Sequence, residues 1–372
     1  MIDLREPEPI TRHRRSGRPM GVLIAAAAVL VLLLGVAFVL YRSRSTRALS
    51  PVADAAAAAV PVASPAAPAT TPAGPAPSAK QATSTPPAAA KPAVPTVAGG
   101  VPAPPAGFTL TFADAFGGAA GTGLNRQIFR YATGPGSTFG TGEIETMTDS
   151  TGNVFHDGQG QLMLRALHAG SDPGQGWTSG RFETRAATFG AAKGGVVRMQ
   201  ASIQQPNVST ATGAGYWPAF WMLGNGLRTG GTWPRIGEVD ILEDVNGRGS
   251  VFGTLHCGVN PGGPCNESSG VGSGERPCAG CQSGPHTYAV EIDRSTSVEQ
   301  IRWYLDGRAY FTLSQSRIDA KTWADAVDHP FYIIFDLAIG GGFPGAFGGG
   351  PNARTVSGGS MKIDYVAVYN KG

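Results

Sequence analysis

Downstream of about residue 107, apolar and polar positions alternate in short runs separated by Gly, Pro, Asn and Asp. Period-two alternation places one set of side chains on each face of a strand. On that pattern the segments 108–112, 161–165, 196–203, 287–292, 301–305, 309–313, 331–339 and 361–369 are predicted strands. Asp306-Gly307 separates two of them with the chemistry of a type I′ hairpin turn. Helical periodicity is scarce, with short helical turns expected only around 318–327, and no repeat of 20–50 residues recurs. Many short, evenly spaced strands predict an all-β domain, a two-sheet sandwich or jelly roll.

The opposite pattern governs the other end. Residues 21–40 carry no charge and no strongly polar side chain. Twenty such residues in a helix span about 30 Å, the thickness of a bilayer core. A transmembrane helix is the expectation. A cleaved signal peptide, and so a secreted protein, is the alternative, but its apolar stretch would be shorter and followed by a small-residue cleavage site. Arg12, Arg14, Arg15 and Arg18 precede the span and Arg42, Arg44 and Arg47 follow it, a narrow preference for a cytoplasmic N-terminus. Residues 41–106 form an Ala/Pro-rich linker without the large apolar side chains that offset ordering entropy, and proline biases it toward extended conformations. The expected organisation is a basic cytoplasmic tail at 1–20, an anchor at 21–40, a disordered linker at 41–106 and one extracellular domain at 107–372. The expected protein is a single-pass, monomeric cell-membrane protein.

Charge and cysteine content refine this. The chain's formal charge is +3, but residues 1–50 alone hold eight Arg against three acids, so the β-rich part is mildly acidic. That removes the electrostatic case for nucleic acid as a partner. All four cysteines, Cys257, Cys265, Cys278 and Cys281, lie close together. The Cys278-Ala-Gly-Cys281 spacing would suit zinc. An even count downstream of an anchor favours two disulfides in an oxidising compartment, with three pairings open.

The chemistry concentrates in Glu238-Val-Asp-Ile-Leu-Glu243, three acids within an apolar run. A carboxylate among apolar neighbours has to be paired, protonated or functional. Glu238 and Asp240 share a strand face, whereas Glu243, five residues after Glu238, would face the other way in a regular strand. One extra residue, a β-bulge, returns it to the same face. The two Glu are then about four strand steps apart, roughly 13 Å between Cα atoms. Side chains leaning together close that to about 5–6 Å between carboxyls, the separation a retaining glycosidase needs.

Tyr216-Trp-Pro-Ala-Phe-Trp-Met-Leu223, Gly237-Glu-Val-Asp-Ile-Leu-Glu243, Gly253-Thr-Leu-His256, Ile301-Arg-Trp-Tyr-Leu-Asp-Gly307, Leu337-Ala-Ile-Gly-Gly341 and Asp364-Tyr-Val-Ala-Val-Tyr369 follow one another in an order that resembles glycoside hydrolase family 16. The five-residue spacing of the two Glu resembles its laminarinase-like, bulged branch, and the cysteines after His256 resemble actinobacterial members. The resemblance covers 107–372 and implies a concanavalin-like β-jelly roll of two antiparallel sheets with a glycan cleft. It implies a retaining endo-β-1,3-glucanase in which Glu238 is the nucleophile, Glu243 the general acid/base and Asp240 the carboxyl between them. It implies β-glucan as the partner and no required cofactor. Trp233 is the expected sugar platform, with Trp221, His256 and Glu143 as further substrate-side residues. A structural calcium of the family would use Asp364, although its early acidic partner reads Ala115 beside Asp114. Asp336 stands where relatives often carry Asn, and Thr146 and Met147 where they carry aromatics. A glucan-binding or sensing module without activity, and a hydrolase or transglycosylase acting on mixed-linkage glucan or galactan, are the alternatives.

Overall fold

A computed structural model of the chain describes residues 100–372. The expected anchor at 21–40 and nearly all of the linker lie outside the described residues. Among the described residues, no helix is long and apolar enough to cross a membrane.

Two large sheets pack face to face, as expected of a jelly roll. One orders its strands Arg308–Ser314, Gln300–Leu305, His286–Asp293, Val196–Gln204, Ser360–Lys371, Leu162–Arg165, Val154–His156, with Thr109–Asp114 sharing the flank of Ser360–Lys371. The other runs Val271–Gly272, Ser250–His256, Glu238–Glu243, Tyr216–Gly224, Phe331–Ile339, Arg181–Thr184, Phe129–Tyr131. Pairing within both is antiparallel. The alternation read from the sequence has its physical cause in this layering. Val197, Met199, Ala201 and Ile203 of one sheet and Phe220, Met222, Ile333 and Phe335 of the other share one buried core. Within it Phe182, Phe335 and Phe220 stack in succession, with centroids 5.1 and 4.7 Å apart.

The hairpin at Asp306-Gly307 has both turn residues at positive φ, 48° and 76°, as a type I′ turn requires. The expected helical turns resolve as one helix, Ala320–Val327, whose N-cap Asp319 accepts from the Thr322 amide. The ordered part starts earlier than the boundary at 107 anticipated. Val101 is buried against Tyr365, Ala367 and Tyr369, and the Tyr369 hydroxyl donates to the Pro102 carbonyl at 2.9 Å. The open pairing question is answered by Cys257–Cys265 and Cys278–Cys281.

Candidate active site

The strand Glu238–Glu243 lies inside its sheet, paired on both sides, so its register is fixed twice. Against Tyr216–Gly224 it aligns Leu242 with Phe220 and Asp240 with Trp221, which leaves Ile241 as one extra residue. Against Ser250–His256 it aligns Glu238 with His256, Asp240 with Thr254 and Glu243 with Phe252, three steps on one strand for two on the other. This is the bulge that the spacing demanded. Ile241 and Leu242 both enter the core, and Glu238, Asp240 and Glu243 all face the open side of the sheet.

Local contacts explain why the chain takes this shape. Gly237 opens the strand at φ 72°, and a Cβ there would come within 2.0 Å of the Ala326 carbonyl oxygen. Only glycine fits both conditions. Beneath the bulge, wholly buried Trp303 of the opposite sheet donates from Nε1 to the Asp240 carbonyl at 2.7 Å. A Cβ on Gly253 would meet that indole at 2.5 Å, so this position must lack a side chain for Trp303 to reach the carbonyl.

Five groups surround the acids. His256 places Nε2 3.3 Å from Asp240 Oδ2 and 3.9 Å from Glu238 Oε1. The Asp240 contact is at ion-pair distance, yet Oδ2 accepts no aligned hydrogen bond. Trp217 donates from Nε1 to Glu243 Oε1 at 3.0 Å. Trp233 lies beside His256, ring centroids 5.7 Å apart. Trp221 donates from Nε1 to Asp336 Oδ1 at 2.6 Å, and the Arg181 guanidinium lies over both the Trp221 and Phe139 rings at 4.8 and 4.2 Å.

Burial first, and then the neighbouring Asp240 charge, push Glu243 well above the ordinary carboxylate range. The same causes raise Glu238 to about 8, opposed by the positive charges of His256 and Arg181. The two titrate as one system. Repulsion from Asp240 and between the two Glu makes the pair release its protons in two steps rather than together. The arrangement can therefore present one carboxylate and one carboxylic acid on the same face, the pairing that double displacement at an acetal carbon requires.

The remaining expected residues divide. Glu143 accepts from the Thr141 hydroxyl at 2.5 Å, and its other oxygen is buried without a partner on the same open face. Its Cγ lies close to Gly341, against which Trp217 also packs. Asp364 belongs elsewhere. It sits on the other sheet, where its carboxylate accepts from Gln161 Nε2 at 2.7 Å and Ser202 Oγ at 2.5 Å. Among the described residues it joins neither cluster of metal-ligating side chains. Both of its oxygens are thus already engaged by side-chain donors. Cys278, Cys281 and His286 cluster as a metal site would, but the two sulfurs are bonded to each other.

Several contributors escaped the sequence reading. Glu267 reaches His256 from just beyond the Cys257–Cys265 disulfide. Glu145, buried below Glu143, is raised to about 8 by burial. Arg181 had no motif to mark it. Asp336, visible only as a departure from Asn, is raised to about 6, chiefly by burial.

Comparison with known proteins gives three results of one kind. Residues 206–277 match a family model described as an XgeA-like, catalytic GH16 domain. Glucan endo-1,3-beta-glucosidase A1 of Niallia circulans is 32% identical over 293 residues, 73% of this chain but only 39% of that protein; a glucan endo-1,3-beta-glucosidase of Cryptopygus antarcticus is 31% identical over 63% of this chain and 82% of its own length. The crystal structure of an endo-1,3-beta-glucanase from Streptomyces sioyaensis matches with a TM-score of 0.69 and 47% identity, covering 73% of this chain and 99% of that one.

Proposed function

The chain belongs to glycoside hydrolase family 16, and from that premise we propose that it cleaves laminarin-type β-1,3-glucan at internal bonds, with retention of anomeric configuration. The observation that carries the proposal is the bulge, which turns Glu238 and Glu243 to one open face with Asp240 between them. The carboxylate of Glu238 attacks the anomeric carbon while Glu243 gives its proton to the glycosidic oxygen. The C–O bond breaks, one glucan chain leaves as an alcohol, and the other remains as an ester on Glu238. Glu243, now ionised, takes a proton from water, whose oxygen displaces Glu238 and restores both groups.

The charge of Asp240 raises both members of the pair. Trp233 and Trp221, both partly exposed on the open face, are suited to stack on glucose rings, and Glu143 and Asp336 to accept from sugar hydroxyls. The relatives' names support β-1,3-glucan as the substrate. Residues 21–40 are proposed as a membrane anchor holding the domain outside the cell. Protease treatment of intact cells tests this, and a protected catalytic domain would contradict it.

Glu238→Gln in the full chain should abolish release of reducing ends from laminarin while leaving thermal unfolding nearly unchanged. Normal turnover by that variant refutes the assignment. Tight laminarin binding by the native protein without product would point to a binding module. Preferential cleavage of lichenan or agarose would move the substrate to mixed-linkage glucan or galactan.

A further inference from the structure

One buried acid beside the cleft comes from neither sheet. Glu267 belongs to the loop that follows Ser250–His256, and its side chain is 0% exposed. Oε1 accepts from the Cys257 amide at 2.7 Å, and Oε2 lies 2.7 Å from His256 Nδ1. The Cys257–Cys265 disulfide closes the loop just ahead of Glu267, and Glu267 exchanges two backbone hydrogen bonds of 2.6 Å with Gly262 inside that loop. His256 thus has a carboxylate oxygen at Nδ1 and, across the ring, those of Asp240 and Glu238 at 3.3 and 3.9 Å from Nε2.

A neutral imidazole has one donor nitrogen and one acceptor nitrogen, so here it would aim a lone pair at an anion. The imidazolium donates from both sides. Glu267, sealed from water, likewise needs a positive neighbour to remain ionised. We propose that Glu267 is a positioning residue of the hydrolytic centre: the segment just beyond the Cys257–Cys265 disulfide carries it to His256, where it fixes the ring and holds a proton on each nitrogen, so that a positive charge faces Asp240 and Glu238. Burial alone would lower the His256 pKa, but the carboxylates of Asp240 and Glu267, one at each ring nitrogen, reverse this and raise it to about 12. The charged groups facing the ring are Glu238 and Asp240 from the adjoining strand and Glu267 from the loop, with uncharged Trp233 on one side. The role rests on the hydrolase reading above; the protonation of the ring does not.

The test is ring-nitrogen NMR of His256 in the full chain, assigned with a His256→Asn control, together with laminarin kinetics. In the native protein His256 should read as imidazolium from about pH 5 to 9. Glu267→Gln keeps the side-chain shape and an acceptor for the Cys257 amide but removes the charge. His256 should then lose a proton within that window, and kcat should fall about tenfold or more with KM held within about twofold. Glu267→Asp should restore both in part. A persistent imidazolium or an unchanged kcat in Glu267→Gln overturns the proposal. If that variant does not fold, a neutral His256 ring at pH 7 in the native protein overturns it alone. A native chain inactive on laminarin would instead sink the hydrolase reading, and the ring titration would still judge the Glu267–His256 pairing.

Discussion

Deleting Ile241 tests the bulge most directly. The strand would then read Glu-Val-Asp-Leu-Glu, a regular alternation in which both Glu still face the cleft. Ile241 is fully buried, so the deletion forfeits four buried side-chain carbons, about 3 kcal/mol at ~0.8 kcal/mol each. Closing the bulge lets the strand recover about one ladder hydrogen bond, worth ~1 kcal/mol. The net loss of about 2 kcal/mol lowers the melting temperature by roughly 4–8 °C for a domain of this size. Deleting Val239 instead is the control. It also removes one buried residue but moves Glu238 to the core face, where an unpaired carboxylate costs several kcal/mol and the nucleophile is lost. Calorimetry with laminarin turnover reads both. The Ile241 deletion should fold and keep measurable activity, whereas the Val239 deletion should lose both. Equal failure of the two would show that Ile241 is not a simple insertion and that the two Glu do not depend on face parity.

Two further substitutions follow from the cleft's charges. Asp240→Asn removes a negative charge that raises both Glu238 and Glu243, so both limbs of the kcat/KM bell should move to lower pH, by about one to two units; unmoved limbs would disprove the coupling. Glu145, raised to about 8, keeps in the folded state a proton that the unfolded chain loses near its ordinary pKa, so its contribution to stability is present at low pH and disappears as pH rises to about 8. Glu145→Gln should therefore raise the melting temperature at pH 8–9 and change it little near pH 4, the stability difference growing by at most roughly 1.4 kcal/mol per pH unit between the ordinary carboxylate range and about 8; a gain at acid pH would refute this sign.

Strands were legible where one face is buried, because burial imposes the alternation that can be read along the chain. Phe331–Ile339 matches the expected bounds, and Val196–Gln204 differs by one residue. The bulge was legible for the same reason, since acids five apart on a half-buried strand leave few alternatives. Glu267 was not, because a loop has no periodicity and its acid is identified only by what the fold brings beside it. The same holds for Arg181, whose place between Phe139 and Trp221 depends on contacts distant in sequence. Cysteine spacing could not choose among pairings that differ only in three-dimensional path. Val101 was read as linker because its neighbours are Ala, Pro and Gly; what orders it is a tyrosine-lined hollow formed more than 260 residues later.

The division between rigid and variable parts explains how this site can hold so much acid. The proposed reacting carboxylates sit on a strand paired on both sides and tied from below by Trp303, so the unfavourable burial of Glu238 and Glu243 cannot be relieved by moving the backbone. It is relieved by retaining a proton, and retained protons are what an acid catalyst needs. The groups suited to choose the glucan and tune the charge arrive largely on loops: Glu143 on one side, Trp233 before the strand, Glu267 just beyond the Cys257–Cys265 disulfide. Altering those loops can change the preferred substrate or the working pH while Glu238 and Glu243 keep their separation, because strand register rather than loop shape sets it.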